Sequence, residues 1–180
     1  VMGLPNLAAV QQSGEVLGTY TDVPSGKVIY FDGVDDYAEV LNYSALVSTS
    51  QISFEIWAYQ DDWKTVSSNV GILDKSDNGA GGYGLWLNSG DPQAVVRVDC
   101  NGINYISALY SKQNLSSGWH HFTATFDGQY LKFYSDGVLV KTSDVGTVCT
   151  IKYPYRNVLR IGNKTNNNAS SYFKGKVDEV

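Results

Sequence analysis

The chain has 180 residues, of which 43% are hydrophobic and 17% charged, with a formal net charge of -5. That length suits one domain with a substantial core. The acid excess, with Lys and Arg scattered along the chain, excludes the basic surface of a nucleic-acid binder and leaves room for a cation site or a neutral ligand such as a sugar. No apolar run approaches the roughly 20 residues needed to cross a bilayer, so membrane insertion is not expected.

Taken in chain order, the first 27 residues break the rhythm of the rest. "GLPNLAAVQQSGEVLGTY" reads as an extended arm, a linker or an added edge strand. The chain starts at Val1 with no charged and apolar leader, so a mature or excised product is expected. From Val28 onward alternation dominates. "VIYFDG" and "YAEVL" flank a tight acidic turn holding Asp32, Gly33, Asp35 and Asp36. "QISFEIWAY" puts Ile52, Phe54, Ile56 and Ala58 on one face and Ser53, Glu55 and Trp57 on the other. "DDWKT" places Trp63 in a loop, and "DNGAGGYG" is a second loop. "GYGLWLN" sets Trp86 against Leu85 and Leu87 on the opposite face of its strand.

Further strands are read at "AVVRVD", "INYISALY", "HHFTATF", "YLKFYSD", "VLVKTS", "VLRIGN" and "YFKGKVDEV". "FDGQY" and "SDGVL" carry Asp-Gly pairs suited to type I′ turns, whose two central residues both need positive φ. Many short strands at regular spacing predict an all-β sandwich or barrel. Cys100 and Cys149 stand outside any CxxC pair, and are either one disulfide or two buried thiols.

His120 and His121 are the only histidines and are adjacent. Parity on a strand sends His120 inward with Phe122, Ala124 and Phe126, and His121 outward with Thr123 and Thr125. They therefore cannot share a metal or act as a joint acid–base pair. His120 is expected to be structural. His121 is either a plain surface residue or part of a binding face.

The motifs "VIYFDGVDDYAEV", "ISFEIWAY", "GWHHFTATFDG", "LKFYSDGVLV", "LRIGN" and "YFKGKVDEV" occur in one order. Together they resemble the concanavalin A-like lectin/glucanase superfamily, within it the laminin G-like, pentraxin-like group. The resemblance covers residues 28–180, leaving 1–27 as an arm. It implies a jelly-roll β-sandwich of two antiparallel sheets, with the last strand beside "VIYFDG". Family chains continue past "DEV", so the final strand is expected to be truncated at Val180, or completed by another chain. The resemblance also implies a structural calcium held by Asp32, the Gly33 carbonyl and Asp178, against the alternative that these acids only shape Asx turns.

Sugar binding needs an aromatic platform with hydrogen-bonding groups beside it. Trp57, Trp86, Glu55 and His121 are the candidates, with Trp63 as a rim contact; the tryptophans are otherwise buried by their neighbours. The Glu-x-Asp-x-x-Glu strand motif that marks the superfamily's glucanases is absent, so no catalytic residues are assigned. Asn-x-Ser/Thr sequons stand at Asn42, Asn114, Asn163 and Asn168.

The function expected is a non-enzymatic recognition module for glycan or a surface protein, located outside the cell or on a cell or virion surface. The alternative is a structural assembly subunit, a homo-oligomer joined by strand addition through the N-terminal arm. A glycoside hydrolase is the weakest reading.

Overall fold

Alternating side chains demand two environments, and the protein supplies them as two stacked sheets. The computed structural model describes residues 21–23, 26–41, 46–66, 69–76, 81–100, 102–153, 158–165 and 171–180. Among these the strands run β1 Thr21–Val23, β2 Gly26–Asp32, β3 Ala38–Val40, β4 Ile52–Gln60, β5 Val70–Lys75, β6 Tyr83–Asn88 and β7 Asp91–Cys100. They continue as β8 Ile103–Leu109, β9 Gly118–Phe126, β10 Tyr130–Ser135, β11 Val138–Asp144, β12 Thr150–Ile151, β13 Leu159–Ile161 and β14 Lys174–Asp178.

The first sheet has the order β1-β2-β14-β4-β9-β10-β11. The second has β12-β7-β6-β5-β13-β3, with β8 on the far side of β7. All pairings are antiparallel. The fold is the antiparallel jelly-roll sandwich that the sequence implied. The last strand lies beside β2, as expected, and is central, held between β2 and β4.

The core fills the gap between the sheets. Ile56, Ala58, Phe122, Ala124, Phe126 and Val177 come from one side, and Leu85, Leu87, Ala94, Val96 and Val98 from the other. The β4 face read from alternation is right in sign: Ile56 and Ala58 are fully buried while Ser53 and Glu55 are exposed.

Three local expectations need adjustment. The tight acidic turn joins strands of different sheets: β2 belongs to the first sheet and β3 to the second, so the turn crosses between layers. Tight turns look alike in sequence whether they join neighbours or layers. Of the Asp-Gly pairs in "FDGQY" and "SDGVL", only Asp136–Gly137 has both residues at positive φ, 52° and 76°. In the other, Gly128 alone is at positive φ, and the Asp127 carboxylate accepts hydrogen bonds from the backbone N–H of Gln129 and Tyr130. It is an Asx turn. Finally, the sheet begins before Val28: Thr21–Val23 pairs with Gly26–Val28 of the same chain, the edge-strand option for that part of the arm. Residues 1–20 lie outside the described set.

Cys100 and Cys149 form a disulfide with Cα atoms 5.3 Å apart. It joins the end of β7 to the residue preceding β12, where Thr150 already pairs with Asp99.

Candidate functional site

β4 and β9 are neighbours over nine register pairs, which sets the outer face of the first sheet. Trp57 stands opposite His121, and their rings stack at 4.9 Å with 22° between planes. Glu55, two residues earlier on the same face, places Oε2 3.5 Å from His121 Nε2. On the other side of Trp57 stands Asp178 of β14.

One row further, Lys176, Tyr59 and Trp119 align across three strands. The Tyr59 and Trp119 rings meet edge-on at 5.5 Å, and Lys176 Nζ lies 4.7 Å from the Tyr59 ring. The Asp61 carboxylate accepts a hydrogen bond from the Tyr59 hydroxyl and raises its pKa above the ordinary phenol value. Four aromatic or imidazole rings thus share a face with two carboxylates and an ammonium. A pyranose offers apolar C–H groups on one face and hydroxyls at its rim, and such a strip answers both.

Of the expected ligand residues, Glu55, Trp57 and His121 come together here. Tyr59, Trp119 and Lys176 were not anticipated. Parity alone could have put Tyr59 with Trp57 and Trp119 with His121, but not the two strands beside each other.

The other two tryptophans go elsewhere. Trp63 is not a rim contact: it is fully buried, on a 3-10 turn at Trp63–Thr65. Its indole N–H donates to the Gly118 carbonyl at 3.0 Å, and its ring meets His120 and Phe122 edge-on. The polar "DDWKT" context hid this, because the polar neighbours point outward while one large ring plugs the end of the core. Trp86 lies on the outer face of the second sheet, across the sandwich from Trp57, so the two cannot serve one ligand.

The histidines divide as parity requires. His120 is 7% exposed. Its Nδ1 is 2.7 Å from Asp136 Oδ2 and its Nε2 3.0 Å from the Ser116 carbonyl, so the ring ties the Asp136–Gly137 turn to the entry of β9. Burial pushes the Asp136 carboxyl up, but hydrogen bonds from the His121 N–H and the His120 ring outweigh it and hold the group below its usual range.

The calcium set does not assemble as the resemblance implied. Asp32 pairs with Lys174 at one end of β14, whereas Asp178 sits four residues on. That is about 13 Å along an extended strand, too far for one ion. The carboxylates that do converge are Asp32, Asp35 and Asp36, with ligand atoms within 4.8 Å of one another. Gly33 lies in the same turn. Burial raises the Asp36 pKa, and the Asp32 and Asp35 charges raise it further, against the backbone hydrogen bond from Asp32. Such a set suits a hard, oxygen-seeking cation.

Among the sequons, Asn163 is excluded as a glycan acceptor because it is fully buried. Asn114 is exposed at the end of a 3-10 turn. Asn42 and Asn168 lie outside the described residues.

The fold is that of a jelly-roll β-sandwich domain. Residues 31–180 match the family model described as the Concanavalin A-like lectin/glucanases superfamily, and the chain belongs to that family. No curated protein matches the sequence.

Among solved structures the chain is similar to the binding domain of Paraclostridial Mosquitocidal Protein 1. The identity is 16% and the TM-score 0.62, with 98% of this chain and 46% of that one covered. It is similar to domains LG4-5 of the mouse laminin alpha1 chain, at 19% identity and TM-score 0.56, covering 82% of this chain and 38% of that one. It is also similar to domain 4 of an extracellular arabinanase from Geobacillus stearothermophilus, solved in complex with arabinotriose. There the identity is 16% and the TM-score 0.58, with 92% and 73% covered. The chain thus spans less than half of the mosquitocidal and laminin chains. Likeness at this identity establishes the fold. Among the described residues no helix is long and apolar enough to cross a membrane.

Proposed function

We propose that the domain is a non-catalytic recognition module that binds a saccharide on the outer face of the first sheet, outside the cell or at a cell or virion surface. The observation that carries this reading is the convergence of Glu55, Trp57 and His121 with Tyr59 and Trp119 on one sheet face. Aromatic rings fixed by a sheet form a platform that costs little ordering on binding. Glu55 and Asp178 supply acceptors for sugar hydroxyls. The arabinotriose complex of the arabinanase domain is in keeping with this. A catalytic acid works from an enclosed apolar pocket, whereas the Glu55 side chain is 58% exposed.

Titration calorimetry with neutral oligosaccharides tests the reading. Trp57→Ala is expected to weaken binding about tenfold or more with little change in melting temperature. Failure of the native protein to bind any saccharide of a broad array would overturn it.

The structural calcium belongs, in this proposal, to the turn of Asp32, Gly33, Asp35 and Asp36. An ion bound only by the folded state raises stability with its concentration. Chelation should then lower the melting temperature, and Asp36→Asn should remove the difference. An unchanged melting curve on chelation counts against the ion.

A second reading, an assembly subunit, draws on the opposite edge of the first sheet. There β11 has no strand beyond it among the described residues, and Val138 and Leu139 are 64% and 48% exposed. Exposed edges invite strand addition. Ordered oligomers of the native protein that vanish when residues 1–20 are deleted would favour this reading over the first.

A further inference from the structure

The outer face of the second sheet carries a group that the saccharide platform above does not use. Register puts Trp86 of β6 opposite Gln93 of β7, and Arg97 of β7 opposite Tyr105 of β8. The Trp86 indole lies back across Gly84, where an added Cβ would come 2.6 Å from the indole nitrogen. Only glycine lets the ring lie there. The indole N–H donates to Asp74 Oδ1 at 3.1 Å. Asp74 is 1% exposed, and its Oδ2 accepts from the Thr165 N–H at 2.7 Å and hydroxyl at 3.0 Å. Both carboxylate oxygens are therefore occupied, Oδ1 by the indole N–H and Oδ2 by Thr165.

Two cations sit against this fixed plate. Lys164 Nζ is 4.6 Å from the centroid of a Trp86 ring. The Arg97 guanidinium is 5.7 Å from the indole and 4.9 Å from the ring of Tyr105, which is itself 54% exposed. Among the described residues neither cation has a carboxylate within salt-bridge reach. Arg97 Nε is buried with no acceptor. Burial lowers the Lys164 pKa, the buried Asp74 charge opposes that fall, and the Arg97 charge adds to it. Two like charges held over one ring, with a guanidinium N–H unanswered, cost stability. An anion beside the two cations would offset their mutual repulsion.

We propose that Arg97, Lys164, Trp86 and Tyr105 form a second site, which binds a carboxylate or sulfate group carried on a saccharide. The guanidinium is suited to two parallel hydrogen bonds with such a group, and its stacking on Trp86 and Tyr105 fixes the plane of the fork. The exposed Tyr105 ring supplies an apolar surface for the sugar that carries the charge. Trp86 and Arg97 stand on β6 and β7, which have neighbours on both sides, and Tyr105 stands on the edge strand β8. Since the site lies across the sandwich from Trp57, it stands or falls separately from the platform above.

The test is calorimetric titration with four probes: a heparin-derived hexasaccharide for sulfate, trigalacturonic acid for carboxylate, maltohexaose as neutral comparator and a deca-glutamate peptide. An acidic saccharide is expected to bind, and to bind more weakly as salt rises. Arg97→Gln and Lys164→Gln should each weaken that binding about tenfold. Lys164→Gln decides alone if Arg97→Gln does not fold. The proposal is overturned if neither acidic saccharide binds the native protein. It is equally overturned if Lys164→Gln binds as well as native, or if deca-glutamate binds as tightly as the saccharides.

Discussion

Strand β9 presents a histidine and a tryptophan contact on each of its two sides, and the two contacts differ in kind. Inward, His120 meets Trp63 edge-on, with Phe122 beside them, and both polar atoms of the imidazole have partners. Outward, His121 stacks on Trp57 with one long contact to Glu55 and a quarter of its side chain exposed. The same two residue types make a closed structural joint on one side and an open platform on the other. What separates them is a single step in sequence, because successive side chains of a strand face opposite ways.

The contrast can be broken first at its largest member. Trp63→Ala empties the most voluminous of the fully buried side chains and strands the Gly118 carbonyl. A loss of about 3–5 kcal/mol is expected, read by urea denaturation. A small effect would mean that the ring is not part of the core. His120→Ala should cost about 1–3 kcal/mol, as truncation with loss of a polar tie does. His121→Ala should change stability by about 0.5 kcal/mol or less and act instead on saccharide binding. Equal stability losses for the two histidines would contradict the division of the faces.

The smallest effect is a matter of pH. The folded state holds the Asp136 carboxyl below its ordinary value of 3.8. A depressed carboxylate contributes stability above its unfolded pKa and loses it as pH falls through the folded one. Stability should therefore decline below about pH 4, and Asp136→Asn should flatten that part of the profile while lowering stability at neutral pH. An acid limb unchanged by the substitution would mean that the link from the turn to His120 and His121 contributes nothing.

The inner faces of the strands were legible because alternation is local. Ile56 and Ala58 inward, Glu55 and Trp57 outward, and His120 against His121 all follow from counting by two. The Asp136–Gly137 turn was legible because both residues must accept positive φ. The motif order carried the jelly roll.

Other features were not readable, for one recurring reason: they depend on which strands become neighbours. "DDWKT" gave no sign that Trp63 plugs the core, since an isolated aromatic in a polar run has no periodicity to read. The acidic turn gave no sign that it crosses between sheets. Asp32 and Asp178 appeared compatible with one ion until the register of β14 against β2 set them at opposite ends of a strand. Arg97 and Lys164 are 67 residues apart in the sequence, and both stand against the Trp86 ring.

By itself, then, the sequence carried the class of fold in the order of its motifs, and the inward and outward sets of β4 and β9, with three members of the first-sheet platform, in the alternation of a few consecutive residues. Tertiary structure alone decided that Cys100 pairs with Cys149, that Trp57 and Trp86 face away from each other, and that two cations share one indole. Those facts rest on strand order and register, and in an antiparallel sandwich these are fixed by long-range pairing and burial.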